Sequence, residues 1–229
     1  MPYAAVVFDL DGTLVDSLSD IARSTNIVLA QLGHPVHELD AYRRFIGDGV
    51  ATLFSRALPA DLSGDSALIA DCVRRFGDVY DVNWNVESRP YDGIAELLDE
   101  LTRAALPLAV LSNKPHRFTV QCMREFFPKR EFAVVFGQRD GVPRKPDPAG
   151  ALEIADLLRV APRDCIYLGD SLVDMQTAVR AGMIPVGALW GFRSREELEA
   201  HGAAHVIASP GELVPLVRTP SPPGRWLNE

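Results

Sequence analysis

Two aspartates one residue apart, Asp9 and Asp11, follow the apolar run at residues 6–8 and precede Gly12 and Thr13. An uninterrupted apolar run is typical of a strand buried on both faces, and open α/β sheets carry their reactive groups at the carboxyl ends of such strands. Two carboxylates this close repel each other, so in a partly buried site one is protonated or a cation binds both. The spacing predicts a reaction centre with a divalent metal; an ordinary Asp-Gly turn is the structural alternative.

The segment 111–115 carries three polar residues after a second apolar run. The Ser112 hydroxyl can donate to a phosphoryl oxygen, and the backbone N–H of Asn113 can point the same way. Ordinary turn chemistry is the alternative, since Ser-Asn before proline is common in turns. Lys114 either meets the anionic end of a substrate or is a solvated lysine, and we expect the solvated state.

A second lysine, Lys145, lies directly before Pro146, and a residue in that position is held in an extended conformation. A helix capped by Asp147, with Pro148 in its first turn, is predicted to follow. A fixed ammonium group can neutralise both a phosphoryl group and a carboxylate nucleophile, whose mutual repulsion opposes attack. The alternative is an exposed lysine beside a capped helix.

Two further aspartates lie in the segment 169–174, with Asp170 at the end of an apolar run and Asp174 four residues later. On a helix that begins here, this spacing places both carboxylates on one face. The alternative is an N-cap aspartate followed by a first-turn aspartate that the helix dipole favours. The residues alone leave both interpretations open.

Charge and cysteine content indicate which partners and which kinds of site this chain is not expected to have. The formal net charge is −8 at pH 7, which argues against nucleic acid or an anionic membrane surface as the main partner. The cysteines, Cys72, Cys122 and Cys165, lie far apart and suggest neither a disulfide framework nor a zinc site. The first residues show no signal-peptide or membrane-span pattern. We therefore expect a cytoplasmic monomer or homodimer that acts on a small molecule.

Short apolar runs recur at residues 4–8, 108–111, 133–136, 165–168 and 185–189, with amphipathic segments between the later runs. This alternation predicts an α/β fold with a doubly wound parallel sheet, a Rossmann-like core. The long gap between the first two runs predicts an inserted all-helical cap domain, whose first helix begins at Ser17 with Asp20 in a near capping box. Further helices are expected at 38–45, 49–58, 66–83 and 92–104. The expected division is a core of 1–15 and 87–218, a cap of 16–86 and a mobile tail of 219–229.

The first segment, VVFDLDGTLVDS, resembles the D-x-D-G-T signature of the haloacid dehalogenase-like phosphohydrolases. Ser112, Lys145 and the G-D-S-x-x-D segment 169–174 resemble the other three signatures of that family, in the same order. The resemblance implies that Asp9 is a nucleophile that forms an aspartyl phosphate and that Asp11 is the general acid and base. Lys145 would be the third catalytic residue.

The same resemblance implies a Mg²⁺ cofactor and a set of binding residues. The metal residues are Asp9, Asp11 through its backbone carbonyl, Asp170 and, in support, Asp174. The implied phosphate-binding and substrate-binding residues of the core are Thr13, Ser112, Asn113 and Lys114.

Three longer segments are most similar to phosphoglycolate phosphatase-type members with a helical cap: FDLDGTLVDSLSDIA, RRFIGDGV at 43–50, and SLVDMQTAVRAGM with the following ALWGFRS. In such members the cap loop helps to select the substrate, and its candidate residues here are Arg44, Gly47, Asp48 and Gly49. Several relatives carry Asn where this chain has Asp48. We expect an extra acid facing the site to disfavour an anionic substrate tail.

The resulting hypothesis is a Mg²⁺-dependent phosphomonoester hydrolase that acts on a small, phosphoglycolate-type metabolite. A phosphosugar mutase of the same superfamily and a phosphoryl-accepting signalling module are the alternatives. A phosphonate hydrolase of this family needs a cap lysine for a Schiff base, and residues 16–86 contain none. A non-catalytic scaffold would be expected to have lost at least one of the core signature residues, and all are present.

Overall fold

The computed structural model describes residues 3–218, so the predicted mobile tail 219–229 lies outside the described residues. Within them the chain forms a six-stranded sheet and a separate two-stranded ribbon. The sheet strands are β1 (Ala5–Phe8), β4 (Leu108–Pro115), β5 (Val134–Gln138), β6 (Cys165–Gly169), β7 (Ile184–Ala188) and β8 (His205–Ile207). Their order is β5-β4-β1-β6-β7-β8, and each neighbouring pair is parallel.

Helices cover both faces of this sheet. The core helices are α5 (Ile94–Arg103), α6 (His116–Phe126), α7 (Ala149–Leu158), α8 (Leu172–Ala181), α9 (Arg195–Ala200) and α10 (Leu213–Arg218), with short 3₁₀ helices at Pro162–Asp164 and Pro210–Glu212. Alternate residues of β1 point to opposite faces. Val6 and Phe8 join one apolar cluster with side chains of α5 and α6, and Val7 joins a second with side chains of α7 and α8. The prediction of a doubly wound α/β fold is therefore confirmed.

The inserted helices are α1 (Leu18–Gln31), α2 (Leu39–Phe45), α3 (Val50–Ala57) and α4 (Ser66–Asn83). They occupy the predicted gap between β1 and β4, and α4 has the predicted bounds. Helix α1 packs mainly on α4, and α4 also contacts α3. The prediction of an all-helical cap is confirmed, while the domain boundaries at 16 and 86 stay a prediction.

A small antiparallel ribbon joins the cap to the core. It pairs β2 (Val15–Asp16), where the chain leaves the core, with β3 (Arg89–Pro90), where the chain returns. The backbone N–H of Tyr91 also donates to the Leu14 carbonyl at 3.1 Å. The outgoing and returning segments therefore lie side by side.

The predicted capping role of Ser17 and Asp20 is wrong. Ser17 precedes α1 but makes no side-chain cap bond, because its hydroxyl donates to Asp11 Oδ1 at 2.6 Å. The buried Asp20 carboxylate instead accepts from the backbone N–H groups of Glu87 and Ser88, where the chain returns from the cap.

Among residues 3–218, no helix combines the length and the apolar composition that crossing a membrane requires.

Candidate active site

The first predicted site residue, Asp9, follows directly on β1 and is buried at the carboxyl edge of the sheet. Its Oδ1 atom lies 2.9 Å from Lys145 Nζ, an ion pair without the alignment of a hydrogen bond. Burial and the neighbouring Asp174 raise the pKa of Asp9 to about 7, although Lys145 opposes the rise. Asp9 is therefore a buried carboxyl group whose charge depends on nearby cations.

Lys145 is fixed on both sides of its ammonium group. Its Nζ atom donates to Asp174 Oδ1 at 2.6 Å and also faces Asp9. Burial alone would lower the pKa of Lys145, but Asp174 and Asp9 hold it well above its ordinary value. The lysine is thus a permanent cation beside the predicted nucleophile, and not an exposed surface residue.

Three buried carboxyl groups, those of Asp9, Asp170 and Asp174, offer oxygen atoms within 4.8 Å of one another. Burial, followed by the charges of Asp174 and Asp9, raises the pKa of Asp170 well above its ordinary value. An all-oxygen set of buried acids suits a hard divalent cation, whose charge offsets the repulsion among them. The residues present therefore fit a divalent metal site.

Asp170 is held on several sides. Its Oδ1 accepts from the Thr13 hydroxyl at 3.1 Å, and its Oδ2 accepts from the Phe192 N–H at 2.8 Å. A Cβ atom at either Gly12 or Gly191 would collide with the Asp170 side chain, so glycine lets both backbone segments approach it closely. This packing fixes the carboxylate in one orientation.

Asp174 has a different set of contacts. Its Oδ1 accepts from Lys145 and, at 3.4 Å, from the Tyr167 hydroxyl, while its Oδ2 accepts from the Ser171 N–H and hydroxyl. Ser171, and not Asp170, is the N-cap of α8, and it forms a capping box with Asp174. The bond from the Lys145 ammonium places Asp174 where it orients that lysine, while its carboxylate remains part of the acidic cluster.

The Asp11 side chain is not part of this acidic cluster. Its Oδ1 and Oδ2 lie 3.0 and 3.2 Å from Lys114 Nζ, and the Lys114 ammonium also donates to the Tyr80 hydroxyl of α4 at 2.8 Å. Lys114 is buried, and Asp11 and Tyr80 raise its pKa despite the opposing effect of burial. The expectation of a solvated Lys114 is therefore wrong, because a cap tyrosine covers it.

Ser112 and Asn113 lie within β4, which runs further than the predicted strand. The Ser112 hydroxyl oxygen accepts from the Lys114 N–H at 3.3 Å, which leaves its proton available to a ligand. The Asn113 amide donates to the carbonyls of Gly47 and Lys145, both at 3.1 Å, and accepts from the Lys145 N–H at 3.0 Å. The Asn113 side chain therefore connects the cap loop to the lysine segment.

Thr13 does not face the place where a substrate would bind. Its hydroxyl donates to Asp170, and its carbonyl accepts from the Trp190 indole at 2.9 Å. The side chain is fully buried. Thr13 therefore positions Asp170, and its substrate-binding role stays a prediction.

The cap loop divides into residues that face the core and residues that do not. Gly47 and Gly49, which both have positive φ angles, line the cavity next to Asp9, whereas the Arg44 side chain is exposed. Asp48 Oδ2 lies 2.6 Å from Arg56 Nη2 and is outside the cavity lining. The expectation of an acid facing the site is wrong, because the turn between the two glycines directs Asp48 toward α3.

The cavity between cap and core has a volume of about 50 Å³. Its core side carries the polar groups already described, and its cap side is mostly apolar. The lining consists of Asp9, Asp11, Ser112, Asn113, Lys114, Pro115 and Phe118 from the core and Ile21, Ile46, Gly47, Gly49, Val50, Leu53, Phe76 and Tyr80 from the cap. The predicted nucleophile and the predicted acid thus open onto one enclosed space.

Several residues that support this site were not predicted from the sequence. They bind the side chains of Asp11, Asp170, Asp174 or Lys114, and they are Tyr80, Ser17, Tyr167, Ser171 and Phe192. Ser17 and Phe192 lie within segments that carry the family resemblance, which was the available signal. Tyr80 had none, since one tyrosine in an amphipathic helix is indistinguishable from a core residue.

Comparisons with known proteins agree with this geometry. The phosphoglycolate phosphatase of Thiobacillus denitrificans is 34% identical to this chain, over 80% of the chain and 81% of its own length. The phosphoglycolate phosphatase of Nitrosospira multiformis is 30% identical over 96% of the chain and 98% of its length. A crystal structure of a candidate phosphoglycolate phosphatase from Lactobacillus delbrueckii subsp. bulgaricus superposes with a TM-score of 0.88 at 28% identity, covering 96% of this chain and all of that one.

The sequence profile of the haloacid dehalogenase-like hydrolases matches residues 6–188, which include all four signatures. Relatives that are similar over most of their length are phosphatases, and the acidic cluster, the buried lysine and the enclosed cavity suit a small phosphate ester. The chain therefore belongs to the haloacid dehalogenase-like hydrolases and is a phosphatase.

Proposed function

We propose that this phosphatase hydrolyses small phosphate monoesters with Mg²⁺ and through an aspartyl phosphate on Asp9. The observation that carries the proposal is the position of Asp9, which lies 2.9 Å from the buried Lys145 ammonium and borders the cavity that Asp11 also lines. A carboxylate nucleophile, a fixed cation and a proton carrier are thereby available to one substrate.

In the first step, an Asp9 carboxylate oxygen attacks phosphorus and the bond between phosphorus and the ester oxygen breaks. Asp11, protonated for this step, gives its proton to the departing alcohol oxygen. Lys145 reduces the repulsion between the Asp9 carboxylate and the phosphoryl oxygens, and the Ser112 hydroxyl donates to one of those oxygens. The product is an acyl phosphate on Asp9 and a free alcohol.

In the second step, Asp11 as a carboxylate removes a proton from water, and the resulting hydroxide attacks the phosphorus of the acyl phosphate. The bond between Asp9 and phosphorus breaks, which releases inorganic phosphate and restores the Asp9 carboxylate. Asp11 already accepts hydrogen bonds from Ser17 and Lys114, as expected for the form that takes up a proton.

Asp9 and Asp170 would hold the Mg²⁺ ion, with Asp174 fixing Lys145 beside them. When bound, the ion supplies positive charge that stabilises the phosphoryl oxygens and offsets the repulsion among the acids. The raised pKa values of Asp9 and Asp170 support this assignment, because buried acids that lack a cation resist ionisation.

Similarity to phosphoglycolate phosphatases supports a substrate of a few carbon atoms. We also propose a cytoplasmic monomer or homodimer that binds neither nucleic acid nor membrane. The net charge of −8 supports the first exclusion. The free and buried state of Cys72, Cys122 and Cys165 supports a reducing compartment.

The test compares wild type with Asp9→Asn and, as a control, Asp156→Asn on an exposed part of α7. Phosphate release from small esters is measured with Mg²⁺ and with a chelator. We expect wild type and Asp156→Asn to release phosphate with Mg²⁺ and not with the chelator. Asp9→Asn should release none under either condition. Acid quenching of wild type during turnover should trap one phosphoryl group on Asp9, detected by peptide mass spectrometry.

Hydrolysis by Asp9→Asn at a rate near wild type would remove the nucleophile assignment. Repeated release of inorganic phosphate distinguishes a hydrolase from a phosphoryl-accepting signalling module, which stops after one transfer. A phosphosugar mutase would isomerise a sugar phosphate without net phosphate release.

A further inference from the structure

We infer that the alcohol part of the preferred substrate is small, apolar and free of any ionised group. The inference rests on the proposed function, because it concerns the part of the ester that lies beyond the phosphoryl group. Its basis is the composition of the cavity wall opposite Asp9.

Hydrocarbon side chains form that wall. They come from α1, the cap loop, α3, α4 and α6, and they are Ile21, Ile46, Val50, Leu53, Phe76 and Phe118. All but Val50 are buried. A substrate group against these side chains exchanges water for apolar contact, which favours hydrocarbon and disfavours charge.

Lys114 is the one cation among the described residues that line the cavity. A lysine ammonium has three donors. Both Asp11 oxygens, at 3.0 and 3.2 Å, and the Tyr80 hydroxyl, at 2.8 Å, already surround Lys114 Nζ. In this arrangement Lys114 has no free donor for a carboxylate on the substrate, which would have to displace Asp11 or Tyr80.

No arginine lines the described cavity, although the guanidinium of the exposed Arg144 lies next to Gly49 of the cap loop. Arg56 pairs with Asp48, and Arg43 donates to the Gly191 carbonyl at 3.2 Å. Arg193 donates to the backbone carbonyls of Arg43 and Ile46. None of these arginines lines the cavity as the structure describes it, so they do not supply a counter-charge for a carboxylate bound there.

Most neutral polar groups of the wall are also engaged, although the Tyr80 hydroxyl keeps its own proton and the Ser112 proton serves the phosphoryl group. The Tyr80 hydroxyl accepts from Lys114, and the Asn113 amide is bonded to the Gly47 and Lys145 backbones. A polyol would therefore find one free donor, the Tyr80 hydroxyl, and its other hydroxyl groups would lack partners, which is unfavourable where water is excluded.

The test uses two esters of matched shape, isobutyl phosphate and phosphoglycolate. The isobutyl ester carries two methyl groups where phosphoglycolate carries two carboxylate oxygens. Methyl phosphate serves as the reference with no such tail. With Mg²⁺, we expect wild-type kcat/KM for isobutyl phosphate to exceed that for phosphoglycolate by about tenfold or more, as for other discriminations in apolar pockets.

A pair of cap variants then relates the preference to the cavity. Val50 is half-buried at the first position of α3 and lines the cavity, whereas Val82 is 75% exposed on α4 and does not. Val50→Lys should shift the ratio of the two kcat/KM values toward phosphoglycolate by about tenfold, since it adds a counter-charge. Val82→Lys, which adds the same charge elsewhere on the cap, should leave the ratio unchanged.

The outcomes separate this inference from the proposed function. If wild type hydrolyses the esters but prefers phosphoglycolate, the inference is overturned while the proposed function stands. An equal shift in both lysine variants would also overturn it, because the cavity wall would then not select the substrate. If wild type releases no phosphate from any ester, the proposed function fails and the inference with it. Should Val50→Lys fail to fold, the wild-type comparison alone decides.

Discussion

The Tyr80 hydroxyl of α4 accepts a hydrogen bond from Lys114 at 2.8 Å, and Lys114 in turn faces both oxygens of Asp11. The Tyr80 ring also stacks on Phe76 and lies edge-on to Phe118. A residue of the cap thus fixes the core lysine that neutralises the predicted acid and base. The orientation of Asp11 therefore depends on the cap being in place.

We predict that Tyr80→Phe lowers kcat by about tenfold, because Lys114 loses one acceptor and no longer holds Asp11 in a single orientation. Steady-state kinetics with a small phosphate ester provides the measurement. Loss of the hydrogen bond should also lower the free energy of unfolding by about 1 kcal/mol.

Tyr42→Phe is the matched control for this change. Tyr42 is another buried cap tyrosine, and its hydroxyl donates to Asn26 Oδ1 at 2.5 Å, away from the cavity. The control should lose a similar free energy of unfolding and keep its kcat. Equal kcat values in both variants would contradict the link between Tyr80 and Asp11.

The second prediction separates the two aspartates at 170 and 174. Asp170→Asn should shift the dependence of activity on Mg²⁺ to higher concentration, because it removes a charged ligand. Asp174→Asn should mainly raise KM for the ester, since the partner that Lys145 contacts at 2.6 Å loses its negative charge. Titrations of Mg²⁺ and of ester for each variant provide the measurement, and the same titration curves for both variants would count against the separate roles.

The third prediction concerns stability without metal. The pKa of Asp9 is about 7 in the folded protein and 3.8 ordinarily, so the folded state keeps a proton that the unfolded chain loses between those values. This stabilising contribution is complete below about pH 4 and is lost as the pH rises through about 7. In the presence of a chelator, the Tm of Asp9→Asn minus the Tm of wild type should therefore be larger at about pH 8 than at about pH 5.

Thermal unfolding of both proteins at the two pH values measures this difference. Saturating Mg²⁺ should reduce or reverse the Tm advantage of Asp9→Asn at about pH 8, because the ion stabilises the charged form of Asp9 in wild type. A Tm difference that does not vary with pH in chelator would show that Asp9 is ionised at both pH values.

The fourth prediction concerns Asn113, whose amide joins Gly47 of the cap loop to Lys145. Asn113→Ala leaves these buried backbone groups without partners, which should cost about 1–3 kcal/mol of stability and raise KM. Asn113→Asp keeps the acceptor for the Lys145 N–H but lacks both donors. If the aspartate variant matched wild type in KM, the connection to the cap loop would have no part in substrate binding.

Spacing and strand ends were enough to predict the elements that carry Asp9, Ser112 and Asp170, whereas Lys145 was predicted from its position before Pro146. Each of the first three follows or ends an apolar run, and parallel strands bring such ends to one edge of the sheet. The strand β8 (His205–Ile207) was not predicted, because three residues without a periodic pattern give no signal. Side-chain partners that are distant in the sequence could not be predicted either. The pairs Asp48–Arg56 and Lys114–Tyr80 depend on how the cap helices pack, which one sequence does not specify.

Side-chain roles near helix starts were the least predictable. Ser17 and Asp20 have the composition of a capping box, yet each binds a residue outside α1. A local hydrogen bond and a tertiary one are chemically equivalent for such side chains, so sequence favours the nearer partner by default. Asp174 illustrates the converse, since it both completes a capping box and orients Lys145.

The antiparallel pairing of Val15 with Pro90 and of Asp16 with Arg89 has a consequence for how the protein can be rebuilt. Because both chain crossings lie in one short ribbon, the four cap helices form an insertion with adjacent ends. The cap of another protein whose two ends also lie side by side could replace this one. The two new junctions would lie in the ribbon, so no loop would have to be lengthened and no connection would cross the sheet. Such a replacement would exchange substrate choice while keeping phosphoryl chemistry only if the new cap supplied a partner for Lys114 in place of Tyr80.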